Sequence, residues 1–182
     1  MRNWIQAKSA RLSSCIAALV VCCSCLPALA AGLGDDEQAS PWMEADVSLP
    51  PSSRPGRPIR LDMGNAADNT FAVDAATIVV GKDGVIRFMT IVSSPNGATT
   101  ITYEGIRCDS RERRKYAYGR PDGTWSPARN ARWTKIEARA INAYDNLLFR
   151  EFFCPVGIIV HDVAEAVMAL ERGGHPATKQ TN

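Results

Sequence analysis

The chain has 182 residues, a formal net charge of +2, 46% hydrophobic residues and six cysteines. Its length suits a single domain. Beyond the N-terminus no apolar run reaches the roughly 18 residues of a membrane span, which excludes a multi-span helical membrane protein. Low charge and many core-forming residues exclude a chain disordered throughout. Six cysteines invite a disulfide scaffold or a metal site until their positions are read.

Residues 1–30 read as a secretory signal peptide. Arg2, Lys8 and Arg11 precede an apolar or small-residue run, LSSCIAALVVCCSCLPAL, and Ala28-Leu29-Ala30 supplies the small-x-small cleavage pattern. Pro27 and the small residues after it speak against an uncleaved anchor. Losing Arg2, Lys8 and Arg11 turns the net charge of +2 into about −1. The basic character of the whole chain is therefore not a sign of nucleic-acid binding. Cys15, Cys22, Cys23 and Cys25 leave with the same segment, so Cys108 and Cys154 remain. Ser24-Cys25 also permits a lipoprotein reading with a lipid on Cys25, although Cys22 sits where a leucine is wanted. Only in that case would the protein be tied to a membrane.

Residues 31–58 read as a flexible, proline-rich linker, with Pro41, Pro50, Pro51, Pro55 and Pro58 and an acidic Asp35-Asp36-Glu37. Trp42 is the exception, a candidate anchor on the domain that follows. The domain itself spans 59–174. Phe71 to Val80 is strand-like and ends at the turn Gly81-Lys82-Asp83-Gly84. Val85 to Val92 is apolar on both faces, as a covered central strand would be. Ser94-Pro95-Asn96-Gly97 turns into Thr99 to Cys108, rich in Thr, Ile and Tyr. Lys115 to Arg120 is a fourth short strand, closed by Pro121-Asp122-Gly123. Short connections imply an antiparallel meander of four or five strands.

The period then changes. Ile141, Tyr144, Leu147, Leu148 and Phe152 make a helical stripe that Pro155 and Gly157 end. Asp162 caps a second helix, which carries Val163, Ala166, Val167 and Leu170 and stops at Gly173-Gly174. Residues 175–182 read as a loose tail. Strands first and helices last give an α+β domain with two helices packed on one sheet face.

In an oxidising compartment Cys108 and Cys154 are expected to join, tying a strand end to a helix end. A thioredoxin-like C-x-x-C is absent, and His161 and His175 are too few and too distant to complete a zinc site. No cofactor is indicated. Between Glu104 and Arg139 ten basic residues face five acids, interleaved with Tyr116, Tyr118, Trp125 and Trp133. By period two, Tyr116, Tyr118 and Arg120 would share one strand face. With Arg107 and Trp125 they form a candidate binding surface for an envelope protein or an anionic envelope component. The other reading is a solvated basic loop over two core tryptophans.

No motif of hydrolytic, metalloprotease or phosphate-binding type occurs, and no catalytic residue is assigned. His161 fits a helix-end role beside Asp162. A less familiar enzyme would have to use Glu104 or His161, which must then line one pocket.

The strings Ser93-Ser94-Pro95-Asn96-Gly97, Tyr103-Glu104-Gly105-Ile106-Arg107-Cys108, Tyr116-Ala117-Tyr118-Gly119 and Asp122-Gly123-Thr124-Trp125, with Trp133 and Phe152-Phe153-Cys154-Pro155, resemble the cryptic-neisserial-protein-like family of exported proteobacterial proteins. The resemblance runs over about residues 41–175. It implies a periplasmic or envelope location and a structural role for the two cysteines, and it carries over no catalytic residue. The reading that follows is a non-enzymatic exported binding or structural module. The alternative is an enzyme acting on an envelope substrate.

Overall fold

The computed structural model describes residues 41–64, 68–138 and 143–180. Residues 1–30 and Cys25, on which the export and lipidation readings rest, lie outside them. Among the described residues seven strands form one antiparallel sheet: β1 (Pro58–Leu61), β2 (Thr70–Val80), β3 (Val85–Ser93), β4 (Thr99–Arg107), β5 (Glu112–Gly119), β6 (Trp125–Pro127) and β7 (Thr134–Lys135). Spatial order follows chain order from β1 to β6, and β7 pairs with β5. The expected meander is present. The strands beyond the expected number are β1, β6 and β7, two to four residues each, and too short to show a period in sequence.

One sheet face packs against the C-terminal helices. α1 (Ala143–Leu147) runs directly into a π-helical turn, Leu148–Phe153. Asp162 caps α2 (Val163–Glu171), its carboxylate accepting the Glu165 N–H at 2.9 Å. Ile86 and Phe88 of β3, Ile106 of β4, Leu148, Phe152 and Phe153 of the π-turn, and Ala166 and Leu170 of α2 close this core. The Cys108–Cys154 disulfide joins the end of β4 to the end of the π-turn. Among the described residues no helix is long and apolar enough to cross a membrane.

The other sheet face is covered by residues 41–57. These were expected to belong to a loose linker. They instead lie along the sheet as an extended strap. Val47 packs on Met89, Tyr103 and Tyr116. The Trp125 indole donates to the Pro50 carbonyl at 2.8 Å, and Ser53, 1% exposed, donates its N–H to Gly123 at 2.9 Å. The buried Asp74 accepts the N–H groups of Gly56 and Arg57. The prolines that suggested a linker suit a strap equally well. They favour extended backbone and bring no N–H that burial would leave unpaired. The strap also explains why β3 is apolar on both faces. The expected loose tail is likewise held: Pro176–Gln180 forms a 3₁₀ turn. His175 accepts the Ala177 N–H at Nδ1, so its Nε2 carries the proton it donates to Glu165, 2.9 Å away.

Candidate functional site

The five residues expected to form one surface divide between the two faces of the sheet. The β4–β5 register pairs Tyr103 with Ala117 and Glu104 with Lys115, leaving Tyr116 as an extra residue. This bulge shifts the alternation by one, so Tyr116 does not share a face with Tyr118. Tyr116 packs on Tyr103, with ring centroids 6.0 Å apart, beneath the strap. Trp125 joins the same cluster, 6.0 Å from Tyr103. Arg107 also faces the strap, its guanidinium 3.8 Å from the Trp42 ring centroid. Tyr118 and Arg120 turn the other way. Tyr118 stands opposite Ser126, and Arg120 donates to the Ser126 hydroxyl at 3.3 Å. Period-two counting could not have shown this, because a bulge is set by the partner strand.

On the strap side, a charged cluster closes around Glu44. Its carboxylate accepts the Tyr116 hydroxyl at 2.5 Å, Arg87 at 3.3 Å, the Trp133 indole at 3.2 Å, and Arg114. Arg87, 4% exposed, also binds Asp83 at 2.6 Å. Burial works against the charge on both partners. Their mutual bond and attraction, together with the Ala45 N–H on Asp83 and Tyr116 beside Arg87, outweigh it, so Asp83 sits below the usual carboxylate range and Arg87 above its ordinary value. Burial, and then the bond to Glu44, push the Tyr116 hydroxyl well above its usual range. Trp42 completes the cluster. It donates to the Asp83 carbonyl at 2.7 Å and meets Trp133 edge-on at 5.9 Å. Sequence reading passed over Glu44 and Arg87. The available signal was Arg87 itself, since a lone charge inside the apolar run VIRFMTIV requires a buried partner.

The string Tyr103–Cys108 now has a physical reading. Tyr103 and Ile106 are core residues on opposite faces, and Glu104 is buried. Gly105 gives Tyr116 room: a Cβ there would lie 2.7 Å from the tyrosine oxygen and 3.0 Å from Val85. Arg107 stacks on Trp42, and Cys108 carries the disulfide.

On the helical face Glu104 is 1% exposed and accepts the Tyr144 hydroxyl at 3.4 Å. Burial, then the nearby Asp145, raise its carboxyl to about 7, against the pull of Lys115, Thr90 and Arg113. Asp145 is raised too, by burial, although Arg113 pairs with it at 2.8 Å. A carboxyl protonated near neutrality can move a proton, but this one is sealed within the fold. His161 is 90% exposed and sits 3.3 Å from Asp162 at the start of α2. Glu104 and His161 therefore do not line one pocket, and the fold does not bring together the pair on which the enzyme alternative rested. No group of three or more His, Cys, Asp or Glu among the described residues could hold a metal ion.

What stays open on the expected surface is a groove of about 320 Å³ beside β6, lined by Tyr118, Ser126, Pro127, Arg129 and Asn130. The Tyr118 residue is 40% exposed there.

A family model described as the CNP1-like family matches residues 37–171. No curated protein and no solved structure matches the chain.

Proposed function

Taking as premise that the chain belongs to the CNP1-like family, we propose that it is an exported protein of the periplasm or cell envelope that works as a non-enzymatic binding module. Its contact surface is the groove of Tyr118 and Arg129, together with the adjoining Arg120, which is bonded to the groove residue Ser126. Its partner is an envelope protein or an anionic envelope component. The observation that carries the reading is the division of the aromatic and basic residues. Tyr116, Trp125 and Arg107 are occupied by the protein's own strap, whereas Tyr118 lines an open groove and Arg120 is bonded to Ser126 on the groove wall. An exposed tyrosine in a groove that also holds Arg129 offers a flat face and positive charge together, which suits anionic or sugar-like groups and acidic protein segments. The Cys108–Cys154 disulfide supports the export reading, because such bonds persist in oxidising compartments. If Cys25 is lipidated, the same module is tethered to a membrane.

Capture from envelope extracts tests the surface. Tyr118→Ala combined with Arg120→Ala should lose the partners that the unaltered protein retains. Equal recovery by both proteins removes this groove as the site.

A further inference from the structure

A second cavity, separate from the Tyr118 groove and independent of that reading, lies beside the disulfide. It measures about 430 Å³ and is bordered by Cys154. That is within the usual size range of small-molecule sites. Three uncommon backbone features meet at it. Arg111 and Val156 are the non-glycine residues with positive φ among those described, at 51° and 50°. The third is the π-turn, which contributes Phe149, Arg150 and Glu151. Strained backbone and π-turns concentrate at functional sites.

Val156 bears two costs at once. A β-branched side chain is poorly tolerated at positive φ, where glycine or asparagine is the ordinary choice. Its apolar side chain also points into water: the residue is 69% exposed, and Ile158 two positions on is 67% exposed. Folding alone gains nothing from either. Both make sense if this wall is covered by a ligand.

The charge at the cavity states what kind. Arg150 and Glu151 offset one another at 3.9 Å. Arg111 is fixed by two neutral acceptors, the Ile136 carbonyl at 3.1 Å and the Asn146 side chain at 2.8 Å. No carboxylate among the described residues lies within ion-pair distance of it. Its guanidinium sits 5.2 Å from the Phe149 ring centroid. One uncompensated positive charge, an aromatic wall and an exposed apolar wall surround one small space.

We propose that this cavity binds a small amphipathic monocarboxylate, with the carboxylate on Arg111 and the apolar chain against Phe149 and Val156. Calorimetric titration with octanoate is the probe, with acetate and octanamide as the matched compounds lacking the chain or the charge. Octanoate should bind, and each of the other two should bind at least about tenfold more weakly, the scale of one lost ionic or apolar contact. Arg111→Gln should abolish the preference for octanoate over octanamide. Because Arg111 also braces Ile136 and Asn146, a second variant keeps the test independent of folding. Val156→Gly relieves the strained backbone, so it should raise the melting temperature while weakening octanoate binding several-fold. Absence of octanoate binding overturns the proposal. So does equal binding of octanamide, or a Val156→Gly protein that is more stable and binds octanoate unchanged.

Discussion

The guanidinium of Arg107 lies 3.8 Å from the ring centroid of Trp42, and this contact joins the start of the strap to the last residue of β4. The strap pairs with backbone outside it at Ser53 and Arg57, and its hold elsewhere depends on such side-chain contacts. Trp42→Ala removes the stacking, the hydrogen bond to Asp83 and the edge contact with Trp133 together. It should lower stability by about 3 kcal/mol, as expected for a large aromatic truncated at a packed site. Urea unfolding should show an earlier midpoint, and protease should cut within residues 41–50 before the sheet unfolds.

Glu44 links Arg87, Arg114, Tyr116 and Trp133. Glu44→Gln keeps the shape but halves the acceptor capacity and removes the charge. A loss of about 2 kcal/mol is expected, the scale of hydrogen bonds to a charged group. In a double-mutant cycle with Tyr116→Phe the two losses should fall short of additive, because both break the same contact.

Glu104 sets a dependence on pH. Its carboxyl is raised to about 7 in the folded chain, above the value of an unfolded glutamate. Between about pH 4.5 and 7 the folded state therefore holds more protons than the unfolded state. The stability this provides is present at the acid end and is lost as pH rises through the folded value. Asp145, also raised, acts in the same direction. Glu104→Gln should flatten this decline. Denaturation midpoints at pH 5.5 and 7.5, compared between the two proteins, measure it. An equal decline in the variant would show that other groups carry it.

Gly105 permits the close approach of Tyr116. Gly105→Ala places a methyl group 2.7 Å from the tyrosine oxygen, so it should destabilise by about 2 kcal/mol through overpacking. Adding Tyr116→Phe removes the clashing oxygen and should recover part of that loss. Melting curves of the single and double variants decide it.

The disulfide closes a loop with a sequence separation of 46 residues. On the chain-entropy account it contributes about 4 kcal/mol. Reduction, or Cys108→Ser with Cys154→Ser, should shift the unfolding midpoint accordingly. Mass spectrometry without reductant should find neither cysteine open to alkylation.

Much of the architecture was legible along the chain. Asp83-Gly84 and Asn96-Gly97 marked the hairpins, VIRFMTIV the central strand, and Asp162 the helix cap. Each is a local preference, expressed by a few neighbouring residues whatever the rest of the chain does. The candidate surface was less legible. Its aromatic and basic residues were visible as a composition, but which of them stay open to solvent was not.

The sequence by itself determined the meander, the covered central strand, the order of strands before helices and the pairing of the two domain cysteines. Turn chemistry, hydrophobic period and cysteine count are properties of short segments. Only the tertiary structure decided that Tyr116 and Tyr118 face opposite ways, that residues 41–57 cover a sheet face, and that Arg87 finds Glu44. A bulge is defined by the strand across from it. Likewise Arg87 and Glu44 stand 43 residues apart in the chain, and Trp133 reaches the same carboxylate across 89. Contacts at that range leave no period in either segment, so the fold alone sets which side chains are occupied and which remain free to bind.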